Sequence, residues 1–106
     1  MGLFDFFKGI DINKGIAEYK ASEGALLLDV RTVQEYREGH IPGSVNISLQ
    51  SIANGRTPSD NKDMQIFVYC HSGSRSRQAA SLLKGMGYSN IKNIGGIAAY
   101  RGKVER

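Results

Sequence analysis

Residues 64–87, MQIFVYCHSGSRSRQAASLLKGMG, join the strongest strand of the sequence to its strongest helix through a turn of a few residues. The apolar run MQIFVY, 64–69, is the strand. In SRQAASLLKGMG, 76–87, the residues Ala79, Leu82, Leu83 and Met86 recur at helical spacing and form an inward stripe. Between the two lies the chain's single cysteine, Cys70, followed by His71, Ser72, Gly73 and Ser74, which permit a tight turn. The thiol is therefore expected at the rim of a strand, just past its last residue, with the N-terminal end of a helix aimed back at it.

The remaining segments repeat this alternation. ALLLDV, 25–30, is an apolar run closing on a carboxylate, the pattern of a buried parallel strand. TVQEYREG follows as a short helix, with Thr32 and Glu35 at the spacing of a capping box. HIPGSVNI carries a Pro-Gly turn and a strand from Val45 to Ile47, and the polar residues 49–63 predict a short helix and then a loop. IKNI, 91–94, is a further short strand. Upstream, DINKGIAEYKASEGA reads as a brief extended start, a cap at Asn13 and a helix ending near Gly24, with Ile16, Ala17 and the stem of Lys20 inward. Strands alternating with helices in a chain of this size specify an α/β fold, a parallel sheet flanked by helices on both faces. Such sheets bind ligands at the carboxyl ends of their strands, where Asp29 and Cys70 both fall.

With 106 residues the chain builds one core, so a site must be assembled within it or across a subunit boundary, and a monomer is the default. A single cysteine excludes an internal disulfide and a cysteine-pair zinc site. His40 and His71 are too few to complete a ligand set, so no metal and no cofactor is expected. The lone thiol fits a reducing compartment, and the cytoplasm is the expected location. MGLFDFFKGI lacks the marks of a secretory signal, and no window approaches the ~20 apolar residues of a membrane span. Within it Leu3, Phe6, Phe7 and Ile10 recur at helical spacing; residues 1–10 read as a short apolar segment docked on its own domain, and membrane contact is not expected. A formal charge of +4, from 14 Lys and Arg against 10 Asp and Glu, favours small anionic substrates. The basic residues are scattered, with no aromatic platform between them, which argues against a nucleic-acid partner.

A free cysteine is most often a small buried hydrophobe. The turn after Cys70 argues for chemistry instead. Wrapped at the start of a helix, it directs several backbone N–H groups toward one point and makes a nest for an anion. The same positive field favours thiolate over thiol and so prepares a nucleophile.

CHSGSR, with LLLDVRTVQEYREGHIPGSVNI upstream and IGGIAAY downstream, resembles the single-domain rhodanese-like sulfurtransferases, in the family's own order of blocks. The resemblance runs from about residue 11 to 100 and implies a rhodanese-like domain over residues 11–106. It implies that Cys70 forms a persulfide. The thiolate would take a sulfane sulfur from a small anionic donor such as thiosulfate, releasing sulfite, and pass it to a thiol, cyanide or carrier-protein acceptor. It further implies that His71, Ser72, Gly73, Ser74 and Arg75 form the substrate-binding loop, the amides holding sulfur and departing anion while Arg75 attracts the donor at the mouth. Asp29 and Arg31 match the family's DVR and are supporting residues, Asp29 being either catalytic or a buried acceptor that ties neighbouring loops. Glu35 matches the EY position, and Arg31 and Glu35, four apart, are placed to pair. His40, in GHIPGS, is expected to be a structural hydrogen-bonding group.

Two positions depart from the family pattern. His71 stands where many relatives have arginine, which makes the pocket less positive and more pH-sensitive. Tyr100 stands where tryptophan is common, which alters packing near the site. Two other readings stay open. A phosphatase or arsenate reductase also combines a cysteine, an anion cradle and an arginine, but with five residues between cysteine and arginine where this chain has only the four of HSGS. A rhodanese-fold binding module with little turnover would lend a surface to a partner, and its usual sign is loss of the cysteine.

Overall fold

The computed structural model describes residues 10–106; the reading of the apolar N-terminal segment falls, apart from Ile10, outside the described residues. Among these, the strands β1 (Leu26–Asp29), β2 (Val45–Asn46), β3 (Gln65–Cys70) and β4 (Asn90–Gly96) form one sheet in the order β2-β1-β3-β4, every pairing parallel. The helices are α1 (Ile12–Ala21), α2 (Val33–Glu38), α3 (Leu49–Ala53) and α4 (Ser74–Gly85), and a 3-10 turn, Ile97–Ala99, follows β4. None of the described helices is long and apolar enough to cross a membrane.

The central strands are apolar throughout because alternate residues feed different cores. Leu28, Ile66, Val68 and Cys70 pack with Ile52 of α3 and with Ala79 and Leu83 of α4. Leu27, Phe67 and Tyr69 pack on the opposite side with Ile12 and Ile16 of α1. Full burial of side chains such as Leu27, Leu28 and Ile66 stabilises the fold by roughly 1.5–3 kcal/mol each. The helices thus cover both faces, as the alternation of elements requires. The register from Leu26 opposite Ile66 to Asp29 opposite Tyr69 makes β1 and β3 end nearly together, so Asp29 and Cys70 share one edge.

Three details differ from the sequence reading. Helix α1 is capped by Asp11, whose side chain accepts from the Asn13 amide at 2.9 Å. Asn13 instead donates to the Ala99 carbonyl and accepts from the Arg101 amide, tying down the C-terminal segment, and Ala17 and Lys20 are exposed while Ile12, Gly15 and Ile16 face inward. Helix α4 buries Ser76, Ala79, Ala80 and Leu83, whereas Leu82 is 37% exposed. That is the expected stripe moved by one step: small residues at 76, 79 and 80 let the helix lie close on the sheet, and Ser76 can be buried because its hydroxyl finds acceptors there. Finally, Cys70 is the last residue of β3 rather than the first beyond it, because Gly96 continues the pairing opposite it.

Candidate active site

Beside the site, at the carboxyl end of β1, lies a buried ion pair. Asp29, which closes β1, is fully buried and accepts from the Arg31 amide at 2.9 Å, from Arg31 Nε at 3.1 Å on both oxygens, and from Arg31 Nη2 at 2.7 Å. Arg31 also donates to the Gly39 carbonyl at 2.8 Å, and its guanidinium stands 5.8 Å from the centre of the Tyr69 ring. The Tyr69 hydroxyl accepts from the Ile41 amide and donates to Ser44, and burial pushes its pKa up. Asp29 is thus an acceptor that ties neighbouring loops. The expected Arg31–Glu35 pair does not form. Arg31 precedes the N-cap of α2, and turning inward spares the buried Asp29 an unpaired charge.

On the α4 side of the sheet the turn closes over the sulfur. Gly73 has φ +104°, a conformation other residues adopt only with strain, and this directs its amide to Cys70 Sγ at 3.0 Å. Gly96 meets the loop so closely that a Cβ there would overlap the His71 carbonyl, which also accepts from the Ala98 amide at 3.0 Å. The residue Cys70 is only 1% exposed, so the thiol lies beneath the surface rather than at an open rim. Burial, the largest single influence, pushes its pKa up. The Ser76 hydroxyl and the amides of Ser76, Gly73 and Ser72 together outweigh burial and bring the pKa below its ordinary value. The amides addressing the sulfur are therefore those of Ser72, Gly73 and Ser76, the last one step beyond the predicted loop. The residues His71, Ser72 and Ser74 are exposed, and His71 meets β4 through its carbonyl.

Ser76 and Asn93 were not among the residues singled out from the sequence. The fully buried Ser76 hydroxyl lies 3.4 Å from Cys70 Sγ, 3.1 Å from the Gly73 carbonyl and 2.7 Å from Asn93 Oδ1. A hydroxyl has one proton, so it serves one of these acceptors at a time. Asn93 Oδ1 also accepts from the Gly95 amide at 3.0 Å, and Asn93 Nδ2 donates to the Gly73 carbonyl at 3.3 Å. The parallel register slips between Val68 and Tyr69, so that Asn93 and Gly95 of β4 stand opposite consecutive residues of β3. Ser76 had a local signal, a small hydroxyl in the first turn of the helix behind the cysteine. Asn93 had none, since only the sheet brings it there.

At the mouth, Arg75 meets Glu35 with two parallel contacts, Nη1 to Oε1 at 2.6 Å and Nη2 to Oε2 at 3.0 Å. Glu35 is also the acceptor of the α2 capping box, taking the Thr32 amide and hydroxyl at 3.1 Å each on Oε1. The Arg75 guanidinium first, and then the Thr32 donors, hold the Glu35 carboxyl down at about 2 against the opposing effect of burial. Arg75 is chiefly influenced by Glu35, and it also feels the charge of Cys70. Arg75, Thr32, Val33 and Leu82 line a cavity of about 490 Å³; His71, Ser72 and Gly73 line another of about 290 Å³ with Ile12 and Ala98. His40 stacks on Tyr36 at 3.7 Å with Nδ1 against the Tyr36 carbonyl, a packed structural group. Among the described residues no group of three His, Cys, Asp or Glu side chains converges as a metal site.

A parallel four-stranded sheet that ends in a cysteine beneath a glycine turn, with the next helix starting at that turn, defines a rhodanese fold with its anion cradle. The chain belongs to the rhodanese-like domain family, whose model matches residues 13–103, a sulfurtransferase family, and its single cysteine at the end of β3 is consistent with that chemistry. It is 37% identical over 86 residues to the putative sulfur carrier protein YrkF of Bacillus subtilis, covering 80% of this chain but 46% of that protein, about half its length. It is 36% identical over 86 residues to the thiosulfate sulfurtransferase GlpE of Pseudomonas savastanoi pv. phaseolicola, covering 80% of each. A solved structure of an E. coli rhodanese with anions superimposes with a TM-score of 0.70 at 31% identity, covering 77% of this chain and 98% of that one.

Proposed function

We propose that the protein carries a sulfane sulfur on Cys70, taking it from thiosulfate or a persulfide donor and passing it to a thiol or cyanide. One observation carries this reading: a buried thiol whose pKa is nonetheless lowered, because the Gly73 amide at 3.0 Å and its neighbours point at the sulfur. Hydrogen-bond donors fixed around a sulfur in this way favour its anion before any substrate arrives. Thiosulfate as donor is supported by the likeness to GlpE, and the binding of an anion by the likeness to an E. coli rhodanese solved with anions.

In the first half-reaction the Cys70 thiolate attacks the outer sulfur of thiosulfate. A new S–S bond forms to Sγ, the bond to the sulfonate sulfur breaks, and its electron pair leaves with sulfite. The terminal sulfur of the persulfide keeps the negative charge, which the amides of Ser72, Gly73 and Ser76 take up. In the second half-reaction a thiolate or cyanide attacks that terminal sulfur, and the Cys70 thiolate leaves, stabilised by the same donors. No proton has to move in either step, so His71 is not required as a base. Asp29 and Arg31 brace the end of β1, the strand beside Cys70, and Arg75 stands in the first turn of α4. The reactive form is the reduced thiolate, which suits a reducing compartment such as the cytoplasm.

Incubation with thiosulfate is expected to add the mass of one sulfur atom at Cys70, reversible by cyanide or a reducing thiol and absent in Cys70→Ser. A wild-type protein that takes no sulfur from thiosulfate rejects that donor. One that also ignores polysulfide and other persulfides rejects the class of reaction.

A further inference from the structure

We propose that Glu35 sets the donor preference of this site: by neutralising Arg75 at the mouth, it removes the advantage that a dianionic donor would hold over a monoanionic one. The inference rests on the sulfurtransferase reading and adds to it the residue that sets the balance between its two donors, dianionic thiosulfate and a monoanionic persulfide R–S–S⁻.

The arginine at the loop's end is matched to a carboxylate: Arg75 is clasped by Glu35. Glu35 cannot swing away cheaply, because the same carboxylate accepts two bonds from Thr32 and caps α2. Arg75 stands in the first turn of α4 between Gly73 and Ser76, whose amide and hydroxyl lie 3.0 and 3.4 Å from Cys70 Sγ, so the Arg75–Glu35 pair is close to any anion bound at the sulfur. The Glu35–Arg75 pair carries no net formal charge. The loop amides, neutral dipoles of short range, serve the terminal sulfur of thiosulfate and of a persulfide alike, and Arg77, which lines the cavity beside His71, Ser72 and Gly73, is common to wild type and variants.

A charged side chain acts on a bound ion in proportion to the ion's charge. Removing the negative charge of Glu35 must therefore help a dianion by the square of the factor by which it helps a monoanion. With a persulfide donor, Cys70 thiolate attacks the terminal sulfur, the donor's S–S bond breaks, and the thiolate R–S⁻ leaves with the electron pair. Atoms and charge balance as they do with thiosulfate, and only the charge of the incoming and departing groups differs.

The test compares kcat/KM for thiosulfate, a dianion, with that for the persulfide of 2-mercaptoethanol, a monoanion, in variants shown by circular dichroism to be folded. Glu35→Gln is expected to raise the thiosulfate value about tenfold, mostly through KM, and the persulfide value about threefold, both gains shrinking as salt is added. Arg75→Gln leaves Glu35 uncompensated and reverses the sign, with a loss of about tenfold for thiosulfate and about threefold for the persulfide. If Glu35→Gln fails to fold, Arg75→Gln reads the same scaling by itself. Equal factors for the two donors, or a loss with both in Glu35→Gln, overturns the assignment while leaving the sulfurtransferase reading intact. A wild-type protein that accepts sulfur from neither donor overturns both.

Discussion

Two arginine–carboxylate pairs lie at the carboxyl end of the sheet, alike in chemistry and unlike in setting. In Asp29–Arg31 the side chains are 0% and 6% exposed and the partners lie two residues apart. In Glu35–Arg75 they are 31% and 35% exposed and the partners lie 40 residues apart. Removing one member of the first pair strands a charge where water cannot replace the lost partner. At the mouth, water can stand in for either partner, so the second pair adds little to stability but presents its charges to an incoming ion. The contrast teaches that burial, more than bond geometry, decides whether such a pair acts as a clasp or as a selector.

The sharpest way to break the comparison is to remove one carboxylate at a time. Asp29→Ala is expected to lose about 3–5 kcal/mol in urea denaturation, as a broken buried pair does. Glu35→Ala should lose less than about 1 kcal/mol. Equal losses would show that burial is not the deciding variable. Next comes Arg75→Ala, which should raise the KM for thiosulfate about tenfold by leaving Glu35 uncompensated at the entrance. Its Tm should fall by less than about 8 °C, the shift that about 1 kcal/mol produces in a domain of this size. A larger fall in Tm with little change in KM would make Arg75 another clasp.

Smaller effects sharpen the picture. Hydrogen bonds depress the Cys70 pKa, so sulfur uptake should fall as the pH drops through that lowered value. Ser76→Ala removes one donor and should move the fall to higher pH, slowing uptake a few-fold at neutrality; an unchanged pH profile would place the Ser76 proton on Asn93 in every state. The smallest effect concerns acid stability. Glu35 is depressed from 4.5 to about 2 in the folded protein, so its contribution is present above pH 4.5 and fades as the pH falls toward 2. Denaturation across that window should show a steeper loss of stability in wild type than in Glu35→Gln.

Much of the fold was legible because its signals are local. The runs around Leu27 and Phe67 had to be buried on both faces, and Thr32 with Glu35 marked the start of α2 from three residues away. The stripe on α4 was legible in period but not in phase. Leu82 and Ala80 could each complete it, and the close approach of the helix to the sheet selected the smaller residue. At the site, the short distance in sequence between Arg31 and Glu35 pointed to a pair that the structure does not contain. Each had a better partner: Arg31 the carboxylate two residues behind it, and Glu35 an arginine on a different helix.

By itself the sequence determined the order of strands and helices and the turn at Gly73 that aims amides at one sulfur, because periodicity and turn chemistry act over a handful of residues. Only the tertiary structure decided that the thiol lies below the surface, that Asn93 reaches Ser76, and that Arg75 meets Glu35. Those outcomes depend on β1 and β3 ending side by side, which brings the starts of α2 and α4 together. Register and packing of that kind are properties of the assembled sheet, and no short stretch of the chain encodes them.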